Sequence, residues 1–197
     1  MDDKMFLNSF ALLELQQRIA DYEDEVSYKK LFFHFFLPLK SFSFSIVKSK
    51  ELAEEIVSDV LIEIWAKRKQ LTEIGDLKMY LYVSVRNASL RKLQQTKKSV
   101  VLSLDEVNVE FASAYENAET ILLTQELSGK IDTAIQQLPQ RCKLIFKLAK
   151  EDRLKYKEIG ILLNISVKTI DHQVSIALKK IADVLDISLK KPSSNKF

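Results

Sequence analysis

The chain has 197 residues, 47% of them hydrophobic, with 30 basic and 27 acidic side chains and a net charge of +3. This is enough apolar material for one large packed domain or two small ones, which excludes a disordered chain. The near balance of charge excludes a generally basic protein, so any affinity for nucleic acid has to come from how charge is distributed along the chain.

Only three Gly and three Pro occur, so long helices with short connections, an all-α fold, are expected. The first residues carry Asp2 and Asp3 ahead of Lys4 and no small-residue cleavage site, unlike a secretory signal. Asn8 or Ser9 can cap a first helix running to about Ala20, and an acidic break follows over residues 21–25. The next helix, 26–37, is dense in aromatics (Tyr28, Phe32, Phe33, Phe35, Phe36), most of which read as core. Pro38 is expected to interrupt it before helix resumes over 39–47. The most apolar run, 31–47, contains His34, Pro38 and Lys40 and is too short to span a bilayer, so a soluble cytoplasmic protein is expected.

Ser49 can cap a helix over 50–68, in which Leu52, Ile56, Val60 and Ile64 form the buried stripe and Glu54, Glu55, Asp59 and Glu63 lie on other faces. Carboxylates at such spacings occur in di-iron bundles, but those helices carry Glu-x-x-His. No His lies between His34 and His172, so neither metal nor cofactor is expected. A solvated acidic face and a docking face for a basic partner both remain open. Leu61, Ile62 and Trp65 favour docking, because they make the helix apolar around more of its circumference than one core needs.

After a loop with Gly75, a helix over 77–95 turns Leu81, Val85, Ala88 and Leu93 inward. Residues 77–98 include no acid, but do include Lys78, Arg86, Arg91, Lys92, Lys97 and Lys98, interleaved with Met79, Tyr80 and Tyr82. Basic groups neutralise phosphates and aromatics stack on bases that have left the duplex; a merely solvated basic face is the alternative. The sign then reverses. Residues 99–128 include no Lys or Arg, while Asp105, Glu106, Glu110, Glu116, Glu119 and Glu126 appear. An acidic linker over 98–122 is expected between a helical domain at 1–97 and a second at 123–188, with a disordered tail at 189–197.

Helices resume near Glu119 or Glu126. Pro139 opens a further helix as its first-turn residue. That helix holds Cys142, the single cysteine, which excludes an internal disulfide, fits a reducing compartment and reads as a small core hydrophobe. A loop over 151–154 leads into Y-K-E-I-G-I-L-L-N-I-S-V-K-T-I-D-H-Q-V-S-I-A-L-K-K-I-A, residues 156–182. Tyr156, Ile159, Leu162 and Leu163 share one stripe, Asn164 suits a left-handed helix end, and Ser166 caps a second helix. There Val167, Ile170, Val174, Ala177 or Leu178, and Ile181 face inward. Lys168, Thr169, Asp171, His172, Ser175 and Lys179 do not. This is the pattern of a helix-turn-helix that reads a major groove, and equally of a helical hairpin in a bundle.

Taken together, the pieces resemble the extracytoplasmic-function (ECF) group of sigma factors of RNA polymerase, within the sigma-70 family, over about residues 10–185. A-E-E-I-V-S-D-V-L-I-E-I-W resembles the polymerase-docking helix, and Y-L-Y-V-S-V-R-N-A-S-L-R the promoter-melting helix. L-P-Q-R-C-K-L-I-F-K-L and the helix-turn-helix resemble the fourth region. The wording Y-K-E-I, I-S-V-K-T-I and A-L-K-K-I is most similar to a Bacteroidetes subgroup. Departures are Ser58 where Gln is usual, Leu61 where Phe is common, Asp152-Arg153 in place of a Gly, which predicts a loop of different shape, and Ile176 where many relatives have Arg.

The resemblance implies a non-enzymatic factor that binds core RNA polymerase and promoter DNA and helps open the duplex. Glu54, Glu55, Asp59 and Glu63, with Leu61 and Ile62, would dock on the clamp of the largest subunit, while the fourth region meets the flap. Asn87 would sit at a base-capturing pocket with Tyr80, and Arg86, Arg91 and Lys92 would touch phosphates. At the upstream element Lys168 and Lys179 suit phosphates, joined by Lys155 and Lys157. Thr169, His172, Gln173 and Ser175 suit base edges, and Asp171 would reject wrong registers or accept from a cytosine amino group. The linker would thread toward the RNA exit path, and an anti-sigma factor, often membrane-bound, is an expected partner.

The rival from another class is an enzyme. Gly75, Gly129 and Gly160 are isolated and cannot cradle a phosphate, and two distant His and one Cys make no metal set or nucleophile triad. Neither catalytic residues nor a small-molecule substrate are expected. The closer rival is a two-domain regulator that binds DNA without polymerase.

Overall fold

The computed structural model describes residue 7, residues 9–96 and residues 122–185, except for the side chains of 96 and 122–128. It contains helices and no strand among these residues. The chain divides into two compact units, with the boundary between Leu102 and Ser103. The expected tail, and the expected linker up to residue 121, lie outside the described residues.

In the first unit α1 (Ser9–Tyr22), α2 (Glu25–Val47), α3 (Lys50–Ala66), a 3-10 helix (Arg68–Glu73) and α4 (Leu77–Thr96) follow one another closely. The acidic break is short because Asp24 caps α2. Its Oδ1 accepts from the amides of Val26 (3.0 Å) and Ser27 (3.3 Å), and its Oδ2 accepts from the Ser27 hydroxyl and pairs with Arg18. α2 is the central element and packs against α1, α3 and α4. It runs unbroken through Pro38, contrary to the expected interruption. The physical reason is the stripe Leu31, Phe35, Leu39 and Phe42, all buried. Burying four such side chains is worth about 1.5–3 kcal/mol each, more than the roughly 3 kcal/mol that an internal proline costs. α2 is also long and apolar enough to cross a bilayer by length and composition, but half of its apolar window is buried within the unit, as in a core helix.

The 3-10 helix is held in place from α1. The buried Gln16 amide donates to the carbonyls of Leu71 (2.9 Å) and Ile74 (3.0 Å). The end of the short helix, where the Leu71 carbonyl also accepts from the Ile74 amide at 3.1 Å, is thereby tied to α1.

The second unit comprises α5 (Leu122–Gln136), α6 (Gln140–Lys150), α7 (Tyr156–Leu163) and α8 (Val167–Val184). Pro139 stands one position earlier than expected, as the residue before α6 rather than its first turn. α6 is buried continuously from Cys142 to Leu148. Cys142 packs with Ile135, Leu138, Phe146 and Ala177, and burial pushes its thiol above the usual range, in keeping with a core hydrophobe. Lys143, buried beside it, donates to the carbonyl (2.9 Å) and side-chain oxygen (3.1 Å) of Gln136. Burial also holds its ammonium below the usual lysine range.

Candidate nucleic-acid interface

The helix-turn-helix forms as its residues require. Asn164 adopts φ 54°, ψ 50° and ends α7, with its amide donating to the Gly160 carbonyl. The Ile165 amide also donates to that carbonyl, at 3.1 Å. A β-carbon on Gly160 would lie 3.0 Å from the Ile165 carbonyl oxygen, so the tight turn favours glycine there. The Ser166 hydroxyl then accepts from the Thr169 amide at 3.1 Å. In α8, Ile170, Val174 and Ala177 are buried. Lys168, Asp171, His172, Ser175 and Lys179 are exposed, and Thr169 and Gln173 are half-buried. The Thr169 hydroxyl is 2.8 Å from that of Ser166, which leaves it less available to a base edge. Of the two candidates Ala177 and Leu178, Ala177 takes the inward position. One expectation is corrected: Val167 is 45% exposed because it stands in the first turn, beyond the core. Lys155 and Lys157 are exposed at the start of α7.

α3 starts at Ser49, whose hydroxyl accepts from the Leu52 amide. The helix buries Ala53, Ile56, Val57, Val60, Leu61 and Ile64, a wide arc, because it packs against α2, α4 and the 3-10 helix. Glu54, Glu55, Asp59, Ile62 and Glu63 are exposed. The expected docking role of Leu61 is therefore corrected. Its side chain is 0% exposed and serves the core, while its carbonyl accepts from the Tyr28 hydroxyl at 2.9 Å. Ile62, 59% exposed, remains on the surface. Trp65 is half-buried against Tyr28, ring centres 4.9 Å apart, with the Arg68 guanidinium over its ring.

The acidic face is engaged by lysines. Glu54 pairs with Lys40, Glu55 with Lys92 at 2.8 Å and Glu63 with Lys67 at 2.5 Å. The hydrogen bond that Lys92 donates to Glu55, and then the Glu55 charge, raise the Lys92 ammonium above its usual range, with Asp59 adding to the effect. These are solvent-exposed pairs, worth about 0–1 kcal/mol each, so a basic partner can displace them at little cost.

α4 is capped by Asp76, whose Oδ1 accepts from the Met79 amide at 2.9 Å. Its acid-free stretch meets α2 closely. Tyr82 is 1% exposed and packs on Phe42, ring centres 5.3 Å apart, and the buried Ser89 hydroxyl lies 2.9 Å from that of Ser43. Tyr82 is thus core and cannot stack on a base, contrary to expectation. Tyr80, Asn87 and Arg91 are exposed and Ser84 is half-buried; at spacings of four, three and four they share one face. Arg86, half-buried, reaches the Asn87 side-chain oxygen at 3.5 Å. A cleft of about 250 Å³ opens where this stripe meets α3 and the 3-10 helix, lined among others by Glu63, Lys67, Gln70, Glu73, Tyr80 and Ser84. Gln70 and Ser84 carry no sequence signal. The place of Gln70 at the cleft follows from the 3-10 helix that Gln16 fixes, a contact 55 residues distant in sequence.

A helical unit with an acid-faced helix and a basic-aromatic helix, followed by a helix-turn-helix unit, defines a modular DNA-binding factor. Comparison with known proteins narrows the class. Residues 35–99 match the Sigma-70 region 2 family and residues 128–181 match Sigma-70, region 4, so that the two together cover more than half of the chain. The chain is also 23% identical over 171 residues to the ECF RNA polymerase sigma factor RpoE of Cereibacter sphaeroides, with 85% of this chain and 91% of that protein covered. The chain belongs to the sigma-70 family, in its ECF group. It is an alternative sigma factor that binds core RNA polymerase and promoter DNA and directs promoter recognition in transcription initiation; it is not an enzyme.

Proposed function

We propose a division of labour among three faces. Glu54, Glu55, Asp59 and Glu63, with Ile62, dock on the clamp of the largest polymerase subunit, exchanging their lysine partners for basic groups of the clamp. The α4 stripe takes the opened downstream element. Tyr80 and Asn87 receive an unstacked base, by stacking and by an amide that donates and accepts together, and Arg86, Arg91 and Lys92 hold phosphates. α8 reads the duplex of the upstream element, with Lys168, Lys179, Lys155 and Lys157 on the backbone and His172, Gln173, Ser175 and Thr169 at base edges, while Asp171 rejects wrong registers. The second unit meets the flap, and the protein acts in the cytoplasm, where polymerase and chromosome are.

The carrying observation is the stripe Tyr80–Ser84–Asn87–Arg91, exposed at all but the half-buried Ser84, with a cleft at its end. It offers aromatic, amide and guanidinium groups in one line, the set that an unstacked nucleotide requires. Phe33 and Leu37, exposed on α2 one turn apart, support a masking protein of the anti-sigma kind.

Co-purification with core polymerase tests the docking face. The wild-type chain is expected to co-purify. Glu55→Lys with Asp59→Lys is expected to lower core affinity about 30-fold or more, the loss of a hot spot worth about 2 kcal/mol or more, with circular dichroism unchanged. Native affinity in this variant sinks the docking assignment.

A further inference from the structure

The link from α6 to α7 carries a feature that the established activity does not use. Lys147 is buried, its side chain 5% exposed, yet it lies in an ion pair. Its ammonium lies 2.7 Å from Glu151 Oε2 and 3.7 Å from Asp152 Oδ1, and the Asp152 side chain is itself only 3% exposed. The Lys147 carbonyl is held as well, accepting from the amides of Glu151 (2.9 Å) and Asp152 (3.0 Å). One residue thus grips the turn from both its backbone and its side chain. The next residue, Arg153, adopts φ 52°, the left-handed region that glycine enters freely and other L-residues do not. Leu154 is then buried, and its amide donates to the Leu148 carbonyl at 2.9 Å. At Lys155, the residue before α7, the Glu158 side chain accepts from the backbone amide at 2.8 Å.

A charge buried in a helical core is costly unless paired, and so is a non-glycine residue at positive φ. The two features stand six residues apart in one turn, and one set of carboxylates serves both. The carboxylates that neutralise Lys147 belong to the two residues before Arg153, and their pairing fixes the backbone that must turn left-handed. Glu151 takes the ammonium's hydrogen bond from the partly exposed side, and Asp152, enclosed with the ammonium, is the inner member of the pair.

We infer that Lys147 and Asp152 are positioning residues for promoter recognition: their buried ion pair stands in for a glycine at position 153 and sets the angle at which α7 and α8 meet the upstream element. This rests on the reading of α8 as the upstream-element reader.

The test uses the full chain assembled with core polymerase, on a promoter fragment selected by the wild-type holoenzyme from a randomised pool and on the same fragment with its upstream element scrambled. The wild-type affinity ratio between the two fragments measures the upstream contribution; a ratio of one removes the reading of α8 itself. Lys147→Met with Asp152→Asn removes the pair without leaving a lone buried charge. It is expected to lower that ratio about tenfold with core affinity unchanged. Adding Arg153→Gly is expected to restore it to within about twofold, since glycine supplies the turn without the clamp. An undiminished ratio in the first variant, or no recovery in the second, overturns the inference. Should the first variant unfold the second unit, Arg153→Val and Arg153→Gly decide instead. With the ion pair intact, the β-branched residue is expected to lower the ratio at least threefold relative to glycine, and equal ratios overturn the inference.

Discussion

The two helices assigned to DNA, α4 and α8, differ in how they are buried. α8 buries one face, Ile170, Val174 and Ala177, and leaves the opposite side to solvent. α4 packs against both α2 and α3, with Tyr82 and Ser89 turned to α2 and Lys92 tied to Glu55 on α3. Its exposed surface contracts to the stripe through Tyr80, Asn87 and Arg91. A helix laid across a duplex groove needs one whole side exposed. A helix that presents a few groups to an unstacked strand needs only a stripe, and its remaining circumference can brace it rigidly.

The contrast extends to α3, where neighbouring residues have opposite fates, and this gives the largest expected effect. Leu61→Ala is expected to cost about 2–5 kcal/mol of stability in the first unit, as for a fully enclosed leucine. Ile62→Ala should leave stability within about 0.5 kcal/mol and weaken core binding instead. Denaturant unfolding together with core affinity separates the two; the reverse pattern would return Leu61 to the docking face.

A smaller effect is expected on α8. Lys168→Ala should weaken promoter binding evenly across single-base variants and reduce the salt slope by about one. A salt series checks this, and a base-selective loss would move Lys168 from the backbone to a base edge.

The smallest concerns pH and the first unit alone. The hydrogen bond from Ser27 and those from the α2 amides hold the Asp24 carboxyl below its ordinary value of 3.8, and Arg68 holds Glu23 below 4.5. Both contributions are complete above those values and are lost as pH falls through the depressed ones. Melting temperature followed downward from pH 5 should drop less in Asp24→Asn than in wild type; equal drops would show that the cap is not titrating.

What was legible in the sequence follows the same division. The helix-turn-helix could be read because its signals are local: Asn164 at positive φ, Ser166 as a cap and one apolar stripe. Helices buried on several sides hid their surfaces. Leu61 and Tyr82 look like surface candidates by spacing and are core because a second helix covers them. Pro38 looks like a break and is not, since long-range burial outweighs a local preference. The cleft beside Tyr80 depends on Gln16 holding the 3-10 helix, and no periodicity reports a contact 55 residues distant. Asp152-Arg153 stands out in the sequence as a departure in the loop before the helix-turn-helix. The left-handed backbone at Arg153 and the buried lysine beneath it are visible only in three dimensions.

One measurement tests the division between α4 and α8 directly: the promoter preference of holoenzyme, profiled on a randomised promoter library, for wild type, Asn87→Ala and His172→Ala. A good base contact is worth about 1–3 kcal/mol, so its loss is clear in such a profile. Asn87→Ala is expected to flatten preference at a base of the downstream element only, and His172→Ala at a base of the upstream element only. Loss of preference in the same element for both variants, or wild-type profiles for both, would contradict the assignment of one helix to the opened strand and the other to the duplex.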